Sequence, residues 1–289
     1  MDTPSATDDG EHSQPNLYRF LIFSLTALLL ISSCKQRETI KEKPFIDSTL
    51  IRRQQQHIAD SLAKAAKPKK KIYITFDDGP NKGTVHVLQA VKEENIPVSF
   101  FIVGKHVFDS PTQKSFWEQL KADSAIELCN HSYTHALNHY TKFYQQPDSV
   151  LLDFEKSQQK LSFSNNIVRM PGRNAWRIDT IEVTDIWESK PAIDSVRNAG
   201  FAVMGWDIEW NFDHKTLAPD SSTNLLLRRI YNMLDAGTTR TPGHLVLLAH
   251  DQAFQKEAYL DSLHSFIQQL KKEPDYEFVV ASKYPGVKK

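Results

Sequence analysis

Two carboxylates in succession, Asp77 and Asp78, stand where a run of β-branched and aromatic residues, Ile72 to Phe76, gives way to Gly79-Pro80. The run reads as a strand and the Gly-Pro pair as its turn. Successive strand residues face opposite sides of a sheet, so the two acids share one environment only where the strand ends and the backbone bends. Carboxyl ends of strands are where α/β proteins keep their active sites. There, one acid can bind a metal while the other moves protons. The same residues also fit a strand followed by an Asp-rich turn. His131 and His135 add a second polar cluster, directly after the apolar run Ala125 to Cys129. On a helix or helical turn their i, i+4 spacing puts both imidazoles on one face, within reach of one ion. Imidazole nitrogen together with carboxylate oxygen is a ligand set that suits zinc.

The elements that must position these groups alternate along the chain. Apolar runs predict strands over 72–76, 98–103, 125–129, 167–170, 201–206, 245–249 and 278–281. Helical periodicity predicts helices over 84–95, 111–121, 147–162, 191–199, 224–234 and 256–270. Pro111 opens one of them and Gly200 stops another. The stretch 176–187 reads as irregular, an insertion lining a substrate groove. Strict alternation of strand and helix implies a parallel α/β architecture. Every polar motif falls at the carboxyl end of a predicted strand. Arg169 does so after Ile167, Asp207 after Trp206 and His250 after Ala249.

Together, Thr75-Phe-Asp-Asp-Gly-Pro80, His131-Ser-x-x-His135, Arg169-x-Pro171 and Leu248-Ala-His250 resemble the successive motifs of the polysaccharide deacetylases, carbohydrate esterase family 4. The resemblance covers roughly residues 70 to 285, in the family's order. It implies a distorted parallel (β/α) barrel of about seven strands, a variation on the eight-stranded barrel. It also implies a divalent metal, usually zinc, held by one Asp and two His. The reaction it implies is removal of acetyl groups from N-acetylated sugars.

On that basis Asp78, His131 and His135 are assigned to the metal, leaving a coordination position for water and the acetyl oxygen. Asp77 is assigned as general base and Arg169 as the cation that keeps it ionised and oriented. His250 is assigned as general acid, protonating the leaving nitrogen. Asp207 is expected to hold His250 in its charged form, with Glu209 close by and the spacing different from the family's. A second departure is Gly172, where the family carries an aromatic after Arg-x-Pro. Its N–H is kept for the oxyanion, but the side chain shaping the acetyl pocket is gone, so a more open pocket is expected. Trp176, Trp206 and Trp210 are expected to offer stacking faces for sugar rings. Cys129 reads as a small buried residue.

Length and composition bound the rest. A chain of 289 residues, 40% hydrophobic, suits one large α/β domain plus a tether. Zero formal net charge gives no field that favours nucleic acid or an acidic polymer. Only Cys34 and Cys129 are present, which excludes a disulfide scaffold. Phe20 to Ile31 is apolar but shorter than the ~20 residues a membrane span needs. With Ser32-Ser33-Cys34 behind it, the run fits a secretory signal, and Ile31-Ser-Ser-Cys34 resembles a bacterial lipobox. The first 19 residues are acidic where a signal is ordinarily basic. The expected organisation is a signal over 1–34 with a lipid on Cys34, a polar, partly helical tether over 35–71, and a catalytic domain over 72–285. That implies a membrane-anchored lipoprotein of the cell envelope, facing the periplasm or the cell surface, whose substrate is an N-acetylated glycan such as peptidoglycan or a chitin-like polymer. Two other readings fit the sequence: an esterase of O-acetyl groups, and a catalytically silent glycan-binding lipoprotein.

Overall fold

The computed structural model describes residues 48–65 and 68–288. The signal, the lipobox and Cys34 lie outside the described residues, as does part of the tether. No helix among the described residues is long and apolar enough to cross a membrane. The tether contains a helix, α1 (Ser48–Ala65), rich in the Arg, Gln, Lys and Ala that favour one.

From Lys70 onward the chain builds one sheet. Its strands are β1 (Lys70–Gly79), β2 (Val98–Ile102), β3 (Ile126–Asn130), β4 (Ile167–Val168), β5 (Trp176–Ile178), β6 (Ile181–Val183), β7 (Ala202–Val203), β8 (Ile208–Glu209), β9 (His244–His250) and β10 (Tyr276–Phe278). The helices between them are α2 (Thr84–Glu94), α3 (Pro111–Lys121), α4 (Tyr140–Tyr144), α5 (Pro147–Leu161), α6 (Lys190–Asn198), α7 (Thr223–Ala236) and α8 (Glu257–Lys271). The order across the sheet is β6-β5-β7-β4-β3-β2-β1-β9-β8, with β10 pairing the start of β1. From β7 to β8 every pairing is parallel, so the sheet curls as the distorted (β/α) barrel expected from the sequence. The gap between its two ends is crossed by the chain itself. Met204 N–H donates to Val168 O at 2.9 Å and Asp207 N–H to Val246 O at 2.9 Å, so residues 204–207 run from β4 to β9.

One sequence expectation fails. The stretch 176–187 is not irregular: β5 and β6 form an antiparallel hairpin, joined to β7. Strands of three residues, one of them buried throughout, lack the alternation that would reveal them.

Alternation along β1 sorts its side chains between two cores. Ile72, Ile74 and Phe76 pack outward with Val87 and Val91 of α2 and Phe266 of α8. Tyr73 packs inside the curl with Phe101, Cys129, Trp176 and Val246. Cys129 is therefore a buried core residue, as read from the sequence. Thr75 and Asp77 continue the inward row toward the carboxyl end, and there the site begins.

Candidate active site

Asp77 is buried at the top of that row. Its Oδ1 accepts from Arg169 Nη1 at 2.7 Å. Arg169, itself fully buried, reaches inward from the residue after β4. Its Nη1 also donates to Thr75 Oγ1 at 2.8 Å, Nη2 to Gly205 O at 2.9 Å and Nε to Met204 O at 3.1 Å. Its guanidinium lies 4.0 Å from the centre of the Phe101 ring. All three guanidinium nitrogens are therefore bonded, and the carboxylate that Arg169 meets has its charge matched at the floor of a cavity.

A straight strand would send Asp78 to the opposite face. The backbone prevents this. The β1–β2 register shifts between Asp77 and Gly79, and Asp78 takes φ 71°. That left-handed conformation is costly for a residue with a Cβ, by about 1–2 kcal/mol. Such strain concentrates where function needs a side chain re-aimed. Here it turns Asp78 toward the same mouth as Asp77.

The histidines arrive on a loop, not on a helix as their spacing suggested. Ser132, His135, Ala136, Leu137 and Asn138 all have positive φ. Asn130 Oδ1 accepts from Ser132 N–H at 2.9 Å, and Ser132 Oγ from His135 N–H at 3.0 Å. Asp153 of α5 accepts from the N–H of Tyr133 and Thr134, at 3.1 and 3.0 Å, and from the Thr134 hydroxyl at 3.0 Å. These bonds hold an otherwise unfavourable loop.

Asp78, His131 and His135 each bring one ligand atom into a group within 4.8 Å of one another. His131 Nδ1 is 2.8 Å from Arg169 O, so Nδ1 carries the proton and Nε2 presents a lone pair. His131 Nε2 lies 3.4 Å, and His135 Nε2 3.1 Å, from Asp78 Oδ1. Yet Asp78 Oδ1 is buried without a hydrogen-bond donor. Acceptor atoms converging on one point with no proton between them is the arrangement a cation satisfies.

His250 ends β9, in register with Asp77 on β1. Its Nε2 is 3.9 Å from Asp78 Oδ2, its Nδ1 is buried without a partner, and its ring lies 5.4 Å from that of Phe212. These side chains line a cavity of about 340 Å³ together with Met170, Trp206, Glu209 and His214.

Three sequence assignments need correction. Asp207 does not hold His250. Its Oδ2 accepts from Val246 N–H at 2.7 Å and its Oδ1 from Arg240 N–H at 2.5 Å, so it seals the seam where the chain crosses the sheet's gap. Glu209, two residues further along, lines the cavity with His250, as Asp77, Asp78 and Asp185 do. Burial pushes its carboxyl up, while His250 draws it down. Trp176 offers no stacking face, being fully buried against Tyr284. Trp210 offers none either. It packs between Phe254 and Phe266, and its Nε1 donates to Ser221 O at 3.1 Å. Of the three tryptophans, only Trp206 lines the cavity.

The opening expected at Gly172 is also filled. Gly172 has φ 61°, and a Cβ there would lie 3.1 Å from Tyr140 Cε1. Tyr140, of α4, stands beside Gly172 with its ring edge-on to that of His135, 5.7 Å away. The sequence reading missed it, because the short α4 has no periodicity to announce it. It also missed Asp251. This carboxylate, fully buried beside His250, accepts from Asn81 Nδ2 and Thr84 Oγ1, tying the turn after β1 to the end of β9. Adjacency to His250 was the one signal available for it.

Fold and site together define an α/β-barrel protein with a candidate metal centre and a buried, arginine-paired carboxylate at the mouth of its sheet. Comparison with known proteins carries the identification further. Residues 64–170 match the family model described as polysaccharide deacetylase. A chitooligosaccharide deacetylase of Rhizobium leguminosarum bv. phaseoli is 24% identical over 199 residues, covering 68% of this chain and 75% of that protein. A peptidoglycan-N-acetylglucosamine deacetylase of Bacillus cereus is 25% identical over 222 residues, covering 73% and 69%. Among solved structures, a CE4 esterase from Streptococcus mutans superposes with TM-score 0.55 at 20% identity, over 77% of this chain and 90% of that one. A family 4 carbohydrate esterase from Streptomyces lividans gives 0.51 at 20%, over 76% and 97%. Those structures share the fold. Within residues 64–170 the chain carries the match to the polysaccharide deacetylase family model, and its similarity to these deacetylases reaches beyond that stretch.

Proposed function

We propose that this protein hydrolyses the N-acetyl groups of an extracytoplasmic polysaccharide, with a divalent metal, most simply zinc, held by Asp78, His131 and His135. The observation that carries the proposal is the convergence of those three ligand atoms beside a carboxylate, Asp77, whose other oxygen is taken by Arg169. When bound, the ion polarises the acetyl carbonyl and makes its water acidic. The remaining steps belong to the chain. Asp77 Oδ1 is held by Arg169, so Oδ2 takes the proton of the attacking water as general base. The Gly172 N–H, on the cavity wall beside Tyr140, is the candidate donor to the oxyanion. His250 delivers a proton to the departing nitrogen, and Glu209 lines the same cavity.

An amine leaves poorly unless protonated, whereas an alcohol leaves without help. An acid beside the metal group therefore favours N-acetyl over O-acetyl substrates. Ile31-Ser-Ser-Cys34 supports lipid anchorage through Cys34 outside the cytoplasm, where N-acetylated envelope glycans are found. The test is to incubate metal-loaded protein with N-acetylated and O-acetylated glycans and measure acetate together with new free amine. Equal acetate and amine supports the proposal. Acetate without amine makes the protein an esterase, and neither makes it a binding protein.

A further inference from the structure

The zero net charge of the chain conceals an uneven distribution. Residues 48–71 carry seven Lys and Arg against one acid, Asp60, for a net charge of +6. Residues 72–289 carry 23 against 27, for a net charge of −4. Such asymmetry within one chain points to a charged partner for the basic part. Lys70 and Lys71 answer Asp235 and Glu277 at 2.6 Å each. The charge in excess is therefore that of Arg52, Arg53, Lys64, Lys67 and Lys69 against Asp60.

The same segment holds α1, a helix of 18 residues. Ile51, Ile58 and Leu62 recur at i, i+7 and i+11, one stripe of a helix, with Arg52, Arg53 and Asp60 off it. The three apolar side chains are 43%, 54% and 66% exposed, and every residue from 49 to 62 is exposed. Most of a helix's stability comes from packing an amphipathic face, and among the described residues this face stays open. A second copy of α1 suits it poorly. With Ile51 and Ile58 at d of a heptad and Leu62 at a, the other a position is Gln55. The flanking e and g positions are then Arg52, Gln54, Ala59 and Ser61, which offer no pair of opposite charges. Two segments of net charge +6 also repel. An anionic glycan would engage the Lys and Arg but leave the apolar stripe in water. The surface of a membrane holding anionic lipid answers both features, with headgroups for the basic side chains and an acyl boundary for the stripe. The helix is not long and apolar enough to cross, so it would lie along the surface. Its place in the chain agrees. Cys34, the residue read as lipidated, precedes Ser48 by 14 residues, so an anchored chain keeps α1 within about 50 Å of the bilayer.

We propose that α1 docks lengthwise on the surface of an anionic membrane, with Ile51, Ile58 and Leu62 in the acyl boundary and Arg52 and Arg53 among the phosphate headgroups. The proposal goes beyond the deacetylase reading and does not rest on it.

The experiment attaches a nitroxide to the full-length chain at Ile58→Cys, on the stripe, or at Gln56→Cys, off it. Cys129 is buried, and wild type treated with the same reagent sets the background from Cys34. Each protein is bound to vesicles of phosphatidylglycerol and phosphatidylcholine in equal parts. Electron paramagnetic resonance then measures collisions of the label with oxygen and with a water-soluble nickel chelate. The expected result is a label at 58 lying about 5–10 Å inside the headgroup boundary while the label at 56 stays in water. Arg52→Gln together with Arg53→Gln should lower the ratio of docked to undocked helix about 25-fold, at roughly fivefold per charge. Vesicles of phosphatidylcholine alone should lower it as well. Two water-exposed labels on the anionic vesicles overturn the proposal and make α1 a spacer. Docking that ignores both the arginine changes and the lipid charge overturns the claim for anionic lipid. Shielding at 58 without vesicles, with spin–spin broadening that disappears on dilution by unlabelled chain, overturns it in favour of a second copy. Immobilisation of the labels by soluble polyglucuronate, with no immersion on vesicles, overturns it in favour of an anionic glycan.

Discussion

Replacing Arg169 by methionine keeps much of the side chain's length and removes its charge and all its donors. In the native protein that guanidinium joins β1, through Thr75 and Asp77, to the segment at Met204 and Gly205 that closes the sheet. Arg169→Met would leave the Asp77 carboxylate, 2% exposed, without its counter-charge. Removing one partner of a buried pair costs about 3–5 kcal/mol. The stranded carbonyls of Met204 and Gly205 add to this by about 1–3 kcal/mol each where water does not reach them. Total stability of a domain is about 5–15 kcal/mol, so the variant should lie near its limit. Asp77→Asn removes the stranded charge and should offset part of the loss. The assay is urea unfolding at pH 7, followed by circular dichroism, for both single variants and the double variant. The expected result is a loss of at least about 3 kcal/mol for Arg169→Met, with a double variant more stable than additivity predicts by about 0.5–3 kcal/mol. A loss below about 1 kcal/mol, or strict additivity, would refute the claim that Arg169 is the partner that compensates the burial of Asp77.

Other consequences follow from single residues. Burial pushes the Asp251 carboxyl up to about 7, from an ordinary 3.8. A raised folded-state value means that folding takes up a proton between these limits, so stability falls as pH rises from about 4 to 7, by up to about 4 kcal/mol. Asp251→Asn should flatten this part of the stability–pH curve, and an unchanged slope would show that Asp251 is not its source. Gly172→Ala forces a Cβ into a positive-φ position and against Tyr140, and should cost about 1–2 kcal/mol in thermal or urea unfolding. Adding Tyr140→Ala should recover the steric part only, and full recovery would mean that backbone strain contributes nothing. Cys34→Ala should shift the protein from the membrane to the soluble fraction or block its processing. Recovery of wild type as a soluble chain with residues before Cys34 intact would contradict lipidation.

Much of this architecture was legible in the residues. Pro111 at a helix start, the β-branched run before Asp77 and the apolar block 245–249 carry signals that survive without tertiary context. The clustering of Asp78, His131 and His135 was legible as residue types, whereas its geometry was not. The strand bulge at Asp78 shows only as a register shift against β2, and the left-handed loop at His135 is held by Asn130 and Asp153, which no sequence pattern marks. Tryptophans gave the least reliable reading. A large aromatic carries the same signal whether it stacks on a sugar or fills a core, and Trp176 and Trp210 fill cores. Asp207 and Glu209 lie on the same face of one strand. Only the pairing of β8 with β9 shows which is deep at the seam and which is at the mouth. Tyr140 beside Gly172 is a replacement across space, invisible to any reading of position 172 alone.

The central claim is a division of labour between neighbouring carboxylates, and metal content measured beside turnover tests it most directly. Wild type, Asp77→Asn, Asp78→Ala, His131→Ala and His135→Ala would be purified identically, analysed for bound divalent metal by elemental analysis, and assayed for acetate release. The account predicts that Asp77→Asn remains folded and metal-loaded while its rate falls about 10²–10⁴-fold, as loss of a general base does. It predicts that Asp78→Ala, His131→Ala and His135→Ala each lose the metal and the activity together. An Asp77→Asn protein that loses its metal while Asp78→Ala keeps it would reverse the two roles, and an Asp77→Asn protein of full activity would contradict the mechanism outright.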